Sequence, residues 1–291
     1  MQRESRRQAM WGLLFALPAI ALLAAFSLYP MARAFYFSLT DYDLRPNPAF
    51  VGIENYLRVL GSSAFLNSLR VSVVYVFGTV IPVWLVSFGL ASLLFNTRRG
   101  SGAWRTVLFL PTVVPLLTVT LVWKLFFNYR GVVNALLDPF LAGEPIAWLT
   151  KSAYAPLALI MTSWWHAASY YMILFLAGRQ AVPAAHEEAA QIEGAGAWQR
   201  LRWVVLPHMR PTIALVMVIS VINGFRTFAL QHVMTGGGPG TATEIMTLLI
   251  YKTAFNFGLY GEAAAISILY LAMILVFSVL QFRVLRGAEH G

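Results

Sequence analysis

Six stretches of the chain are apolar over about 20 positions each, which is the length that a helix needs to cross a bilayer. Leucine, valine, isoleucine, phenylalanine and alanine dominate them, and charged residues are almost absent. The alternation that is typical of membrane β-strands is missing. The pattern therefore predicts an all-α integral membrane protein with six transmembrane helices. These are expected at approximately 10–29, 69–95, 104–127, 154–178, 212–232 and 262–282.

The composition supports this class and excludes others. Of the 291 residues, 59% are hydrophobic and 11% are charged, whereas a soluble domain carries about 25% charged residues. The net charge of +9 could indicate nucleic-acid binding, but the basic residues cluster beside the apolar stretches, as they do in membrane proteins. The absence of cysteine excludes disulfides and cysteine-based metal sites. We therefore expect contact with a lipid bilayer and none with nucleic acid.

The distribution of arginine predicts the orientation of the helices. Twelve of the 21 basic residues fall in short segments that share one side of the predicted topology. These are Arg3, Arg6, Arg7, Arg98, Arg99, Arg105, Arg179, Arg200, Arg202, Arg210, Arg283 and Arg286. The positive-inside rule makes that side cytoplasmic, so both termini and residues 179–211 are expected there. The longer connections near 30–68, 128–153 and 233–261 are expected on the opposite side.

The polar segment at 179–211 separates two of the predicted spans. A charged segment of this length is costly in lipid, so it must lie outside the membrane and offers a docking surface. Its spacing is Glu188-Ala189-Ala190, three residues, Gly194, nine residues, Val204, one residue, and Leu206-Pro207. The two alanines leave a surface of small residues that a partner can approach closely.

Helix signals divide this segment into two parts. Pro183 is placed to begin a helix, and Gly194 is placed to end it in a left-handed cap. Glu187 and Glu188 fall in the first turns of that helix, where negative charge is favourable. A second short helix is expected at about 197–205. The segment is therefore predicted to form a helix–turn–helix that lies against the membrane.

The spacing resembles the EAA signature loop of the membrane permeases of binding-protein-dependent ABC importers. Val204 stands where that family usually has isoleucine, a mild departure. Two further segments resemble the sugar and glycerol-phosphate permeases of the family. They are Thr235-Gly236-Gly237-Gly238-Pro239, followed by Thr243-Glu244, and Phe50-Val51-Gly52-Ile53-Glu54-Asn55-Tyr56. The nearest resemblance is to the shorter first permease of the maltose and glycerol-3-phosphate group.

The resemblance implies a type I ABC importer permease fold, with one permease domain over 1–291 and the EAA coupling loop at 179–211. It implies a heterodimer with a second homologous permease, two cytoplasmic ATPase subunits on the EAA loops, and an extracytoplasmic solute-binding protein. It places the chain in the prokaryotic plasma (inner) membrane as a multi-pass transport protein rather than an enzyme. The residues expected to couple to the ATPase are Glu187, Glu188, Ala189, Ala190, Gly194, Leu206 and Pro207.

The sequence contains no Gly-x4-Gly-Lys-Ser/Thr loop, so we expect ATP and Mg²⁺ on the partner ATPases rather than on this chain. The glycine-rich run at 236–240 has no lysine after it and is expected on the outer side. It therefore predicts a turn rather than a phosphate site. No cofactor and no metal are expected on the chain itself.

Polar side chains at membrane depth are costly and are therefore candidates for solute contact. In the fourth predicted span Ser163, His166 and Tyr170 share one face, flanked by Trp164 and Trp165. In the fifth, a polar stripe with Arg226 beside it comprises Ser220, Asn223, Gly224, Thr227 and Gln231. Resemblance to the maltose-type permeases implies sugar contacts at Tyr170, Ser220, Gly224 and Thr227. The full set of candidates is Tyr170, Ser220, Asn223, Gly224, Thr227, Arg226, His166 and Trp165.

Packing roles remain open for each of these residues. Serine and threonine in membrane helices often bond their own backbone or a neighbouring helix. His166 can be a packed histidine, and the tryptophans can contact lipid or other helices. No carboxylate lies deep in a predicted span to pair with Arg226. Its partner is then the sister permease, backbone carbonyls, interfacial water, or an anionic ligand such as a glycerol phosphate.

The leading hypothesis is a permease subunit of an ATP-driven importer for a sugar or a sugar-like solute such as glycerol-3-phosphate or an oligosaccharide. A permease of the same class for a polyamine, a peptide or phosphate is the alternative. A proton-coupled secondary transporter usually needs a membrane-embedded carboxylate, which the spans lack. A membrane enzyme such as a prenyl transferase needs an interfacial cluster of aspartates. Asp41 and Asp43 are the only close pair, and no histidine lies near them.

Overall fold

The computed structural model describes residues 2–96, 101–141 and 144–287. The described α-helices are α1 Gln2–Leu23, α2 Tyr29–Ser38, α3 Glu54–Leu60, α4 Ser63–Asn96, α5 Ser101–Val113, α6 Leu116–Phe126, α7 Val132–Leu141, α8 Ala155–Gln180, α9 Ala184–Ile192, α10 Ala197–Arg200, α11 Leu206–Phe225, α12 Ala229–Met234, α13 Met246–Tyr251 and α14 Tyr260–Gly287. Three π-helical turns are Ala24–Leu28, Leu201–Val205 and Lys252–Asn256. In these ranges β-pairing is limited to one bridge between Thr40 and Phe50. The all-α prediction is confirmed.

Four helical stretches are long and apolar enough to cross a membrane. They are Trp11–Ser38, Ser63–Asn96, Ala197–Phe225 and Tyr260–Arg283. A bent pair, Gly102–Val113 and Leu116–Phe126, passes the same test when its halves are taken together. These stretches correspond to five of the six predicted spans, so the membrane class is confirmed. The count of six spans and the cytoplasmic position of both termini stay predictions.

The prediction of one continuous helix over 104–127 is wrong. α5 ends at Val113, α6 begins at Leu116, and the two helices are bent by 91°. Pro115 lies in the break with φ −54° and ψ 134°, which is extended backbone. Proline supplies no backbone N–H and disfavours the helical conformation of the residue before it, here Val114. The sequence therefore contains the cause of the bend.

The stretch predicted at 154–178 forms α8, whose 26 residues give a length of about 39 Å, enough to cross a bilayer. Its mean hydropathy is lower than that of the other four helical stretches and of the bent pair. The reason is the polar and aromatic centre of the helix, Thr162-Ser163-Trp164-Trp165-His166. The helix that should carry solute contacts is thus the least apolar of the predicted spans.

The second half of the polar segment continues directly into the next membrane helix. α10, the π turn and α11 run without interruption over Ala197–Phe225, so the separate short helix expected at 197–205 is wrong. Pro207 lies inside this continuous helix and cannot donate a backbone hydrogen bond, and the π turn directly before it is where the regular pattern of bonds changes. The span predicted at 212–232 instead ends at Phe225.

One compact unit consists of Leu66–Leu249 and Ala272–Gly291. Within it α4 and α8 are parallel neighbours, since the Trp164 indole donates to the Gly78 carbonyl at 3.0 Å and the Ser87 hydroxyl donates to the Ala168 carbonyl at 3.0 Å. α8 and α11 pack antiparallel and very closely. A Cβ atom on Gly178 would overlap the Thr212 side chain.

The other unit consists of Met1–Phe65 and Ile250–Leu271. The Phe50–Tyr56 segment has a structural role in it. The buried Asn55 amide donates to the Ser38 and Thr40 carbonyls at 2.9 and 2.8 Å, and the Tyr56 hydroxyl lies 2.6 Å from the Ser38 hydroxyl. These bonds fasten the connection after α2 onto the end of that helix.

The glycine-rich run forms a turn, as the sequence suggests. Gly236, Gly237 and Gly240 all have positive φ, between 58° and 95°. The Thr235 and Thr243 hydroxyls lie 2.7 Å apart across the turn, and Thr243 also donates to a turn carbonyl. Glycine is needed at these positions because other residues rarely adopt the left-handed conformation.

Candidate functional site

A cavity of about 360 Å³ lies within the unit that contains α4 to α12. Its polar lining residues are Tyr75, Thr79, Thr112, Ser163, His166, Tyr170, Tyr171, Ser220, Asn223 and Thr227. α8 and α11 contribute most of them, α4 and α5 contribute three, and Thr227 comes from the connection after α11. Apolar side chains and Gly224 complete the wall. The cavity therefore offers hydroxyl, amide, imidazole and phenol groups within a largely apolar wall.

The structure gathers six of the eight candidate solute residues around this cavity. They are His166, Tyr170, Ser220, Asn223, Gly224 and Thr227. Trp165 is not in the lining, and its ring packs edge-on against Trp123 at 5.8 Å. Arg226 is also absent from the lining: it is exposed and caps the C-terminal end of α11. Contact between the six residues and a solute stays a prediction.

The polar stripe expected on one helix face is divided by a break. α11 ends at Phe225, Thr227 lies in the connection, and Gln231 belongs to α12. The prediction that Thr227 and Gln231 continue one helical face is therefore wrong. Thr227 still reaches the cavity, because the break turns the chain beside it, and its hydroxyl donates to Gln231 Oε1 at 3.2 Å.

Hydrogen bonds between helices set the positions of several lining groups. The Asn223 amide donates to the Tyr171 hydroxyl at 3.2 Å, which joins α11 to α8. The Trp84 indole donates to the Ser220 hydroxyl at 2.7 Å, and Ser220 donates in turn to the Met217 carbonyl. Ser220 therefore already uses its hydroxyl proton and one lone pair inside the protein.

Two buried atoms in the lining make no hydrogen bond. They are the Thr79 hydroxyl oxygen and His166 Nε2. A buried polar atom without a partner is unfavourable. Because both atoms are buried, they gain a hydrogen bond from a solute only when neighbouring side chains move and expose them.

Sequence reasoning missed Tyr75 and Thr79 of α4, Thr112 of α5, and Tyr171 of α8. Tyr75 and Thr79 are four residues apart in an otherwise apolar helix, so they lie on one face. Polar residues with this spacing were a usable signal. They lie in α4, outside the two helices that flank the polar segment and carry the predicted candidates.

The helix for which the sequence predicts ATPase coupling is α9, named the coupling helix for that prediction, and it has the boundaries that the sequence predicts. Pro183 is its N-cap, and Gly194 follows its C-terminal end with φ +88°. The Ala195 N–H donates to the Ala190 carbonyl at 2.9 Å, and the Gly194 N–H donates to the Gln191 carbonyl at 3.1 Å. This pattern is a Schellman motif, which requires a left-handed residue at the position of Gly194.

The side of α9 that carries the motif is open to solvent. Glu188, Ala189 and Gly194 are exposed, Ala190 is half-buried, and Ile192 is 87% exposed. A single exposed apolar side chain is ordinary on a protein surface, so Ile192 indicates a binding surface only together with exposed apolar neighbours.

Further along the segment, Trp198 and Trp203 are also exposed, at 66% and 70%. Leu206 and Pro207 are only half-buried at the start of α11. The surface formed by α9 and the start of the Ala197–Phe225 helix therefore has the composition that a docking role requires.

Glu187 is engaged inside the chain rather than at this surface. Arg179 at the end of α8 donates two hydrogen bonds to its carboxylate, at 2.6 and 2.7 Å. The Arg179 guanidinium also lies 3.9 Å from the centre of the Phe95 ring. A second tie joins His186 and His208, whose ring nitrogens lie 2.9 Å apart. These contacts anchor α9 to α8 and α11.

Residues 84–289 match the family described as "Binding-protein-dependent transport system inner membrane component". The chain belongs to this family. The match includes α8, the coupling helix and α11, and it begins after Tyr75 and Thr79. Family membership confirms the permease prediction and the inner-membrane location, in preference to the secondary-transporter and enzyme alternatives.

Similar proteins extend over the whole chain. The trehalose/maltose transport system permease protein MalF of Thermococcus litoralis is 33% identical over 96% of this chain and 94% of that protein. The sn-glycerol-3-phosphate transport system permease protein UgpA of Agrobacterium fabrum is 33% identical over 95% of each chain. A chain of a bacterial ABC transporter for alginate import aligns with a TM-score of 0.83, covers 98% of this chain and 97% of its own, and is 21% identical. That likeness shows the permease fold.

Proposed function

We propose that this permease forms half of the path for an uncharged carbohydrate in an ATP-driven importer. A second homologous permease supplies the other half, and an extracytoplasmic binding protein delivers the solute. Two ATPase subunits bind the cytoplasmic side. The relative whose name refers to trehalose and maltose supports a neutral sugar. The relative whose name refers to sn-glycerol-3-phosphate supports a charged polyol derivative instead, so the cavity wall must decide between them.

The observation that carries this proposal is the chemistry of the cavity wall. It combines hydroxyl and amide groups with the aromatic rings of Tyr75, Tyr170 and Tyr171. A sugar presents hydroxyl groups at its edge and C–H groups on its faces, so it matches such a mixture of polar groups and rings. The Thr79 hydroxyl oxygen and His166 Nε2 are buried and unpartnered, so they can bond two of its hydroxyl groups once the lining side chains move apart.

The same wall argues against a charged solute. None of the described residues in the lining is aspartate, glutamate, lysine or arginine. A phosphate or ammonium group would lose its hydration there without an opposite charge nearby, which is costly in a membrane interior. Because Arg226 lies outside the lining, it does not supply that charge in this chain.

The coupling part of the proposal rests on the exposed surface of α9. Glu188 can form charge-assisted hydrogen bonds to an ATPase, and Ala189 and Ala190 allow close approach. When the ATPases close on ATP, they carry α9 with them. The bonds from Glu187 to Arg179 pass that movement to α8, which lines the cavity.

Competition uptake in cells that express the complete transporter tests the solute class. Neutral mono- and disaccharides should compete with the transported solute, and glycerol-3-phosphate should not. Thr79→Val should raise the KM about three- to tenfold, which is the effect of losing one hydrogen bond. Thr106→Val is the matched control because Thr106 is exposed on α5 and absent from the lining. Competition by glycerol-3-phosphate alone would refute the neutral-carbohydrate proposal.

A further inference from the structure

A second pocket, of about 250 Å³, lies in the same unit as the central cavity. Its polar lining includes Asn67, Arg70 and Thr243, and the Asn67 amide donates to the Thr241 carbonyl at 3.2 Å. The turn that follows the glycine-rich run thus forms part of its wall. This pocket is called the outer pocket below. It shares one lining residue with the central cavity.

Tyr75 is the residue that lines both cavities. Along α4 the outer pocket is lined from residue 67 to residue 75, and the central cavity from residue 75 to residue 83. Along α8, which runs parallel, Pro156 and Leu159 line the outer pocket before Ser163 begins the central cavity. Because α8 ends at the coupling helix, the outer pocket lies at the end of the unit that is remote from the ATPase surface.

The Tyr75 side chain is held firmly in this position. It is 6% exposed, and its hydroxyl lies 2.5 Å from the Ser163 hydroxyl. The bond joins α4 to α8 between the two cavities. The phenol ring therefore lies between the two cavities, and its hydroxyl is hydrogen-bonded to Ser163.

Other polar groups lie close to the same phenol. The side chains of Thr79, Thr227 and Gln231 surround the Tyr75 hydroxyl. The Thr79 oxygen and Gln231 Nε2 are buried and make no hydrogen bond. They can accept or donate a bond when the phenol leaves Ser163, so the departure of Tyr75 would not leave its hydroxyl unsatisfied. Such a residue has two alternative sets of partners.

We propose that Tyr75 is the outer gate of the central cavity and that the outer pocket is the entry site for the same carbohydrate. The Tyr75–Ser163 bond keeps the two compartments apart, and its rupture joins them into one path. This inference rests on the proposed function, since it treats the central cavity as part of the solute path. Because the gate controls whether molecules outside can reach the central cavity, it can be tested without knowing the solute.

The absence of cysteine from the chain allows a direct test. Ala167→Cys places a single thiol in the cavity wall, where the native side chain is small and half-buried. The full transporter is kept in right-side-out membrane vesicles without nucleotide. A charged, membrane-impermeant methanethiosulfonate reagent is added from outside, and the modification rate of this chain is measured.

Tyr75→Phe should accelerate modification about three- to tenfold, the factor expected for one lost hydrogen bond. Ser163→Ala should give the same factor, and the double variant should add nothing further, because both changes remove one bond. Tyr75→Ala, which also removes the ring, should give a larger increase. Ser87→Ala is the matched control: it removes another hydrogen bond between α4 and α8 and should leave the rate unchanged.

Equal rates in the parent and in all four variants at Tyr75 and Ser163 would overturn the gate. A double variant whose acceleration equals the product of the two single effects would also overturn it. Co-purification of the ATPase with each variant shows that the assembly is intact. Adding candidate carbohydrates separates the two proposals. If Tyr75→Phe accelerates modification and no carbohydrate slows it, the gate is supported and the carbohydrate assignment fails.

Discussion

The coupling segment and the central cavity are built in opposite ways. The coupling segment is continuous in sequence, and its helix is defined by a proline, a glycine and two backbone hydrogen bonds within α9 and its cap. The cavity collects residues from position 75 to position 230. Local structure can be recognised from residue spacing, whereas a cavity depends on which helices become neighbours.

One side-chain contact joins the coupling helix α9 to the preceding helix α8. Glu187 belongs to the motif region, yet its carboxylate is bound by Arg179 of the preceding helix. The acidic pair at 187 and 188 therefore divides its work. Glu187 fixes α9 to α8. Glu188 remains exposed, as the proposed contact with an ATPase requires.

The largest effect is expected from the Arg179–Glu187 pair. Glu187→Gln should destabilise the coupling segment by about 2–3 kcal/mol, less than a fully buried pair, because Glu187 keeps some exposure. Thermal unfolding of the purified chain in detergent measures the change. Glu188→Gln is the matched control and should leave stability unaltered while weakening ATPase binding. If both variants unfold like the parent, Glu187 is not an anchor.

A somewhat smaller effect is expected at the helix cap. Gly194→Val forces a side chain into the left-handed conformation and should cost about 1–2 kcal/mol. The cap should then open, and recovery of the ATPase with the tagged chain should fall. Gly196→Ala is the matched control, since Gly196 has an ordinary φ of −67°. Normal ATPase recovery and transport with Gly194→Val would rule out a coupling role for this cap.

The cavity should respond most modestly to a single change, because many residues share its wall. Tyr170→Leu should raise the transport KM about tenfold, or about 1.4 kcal/mol, through lost contact with the solute. Trp165→Leu changes a neighbouring aromatic residue outside the lining and should leave the KM near the parent value. Equal KM values in the two variants would mean that the cavity does not contact solute.

The sequence was sufficient where physical signals are local. The limits of α9 followed from Pro183 and Gly194, and the apolar stretches located the membrane helices. Pro115 also indicates the bend between α5 and α6. The apolar run over 104–127 does not show it, because a straight helix and a bent pair can be equally apolar.

Long-range features could not be obtained in this way. Tyr75 and Thr79 matter because α4 packs beside α8, and nothing in the spacing of one helix reveals its neighbours. The sequence predicts Arg226 inside an apolar span, but α11 ends at Phe225, so Arg226 lies at the end of the helix. The end of that helix depends on the turn that follows, which periodicity does not show.

The length of α8 makes the position of Ser163 sensitive to a small tilt of the helix at Arg179. Sixteen residues separate Arg179 from Ser163 on this helix, a distance of about 24 Å at 1.5 Å per residue. If the helix pivots at Arg179, a tilt of about 5° displaces Ser163 by about 2 Å, more than a hydrogen bond tolerates. A small rotation of α8 at the end next to α9 would thus move Ser163 far enough to break its contact with Tyr75.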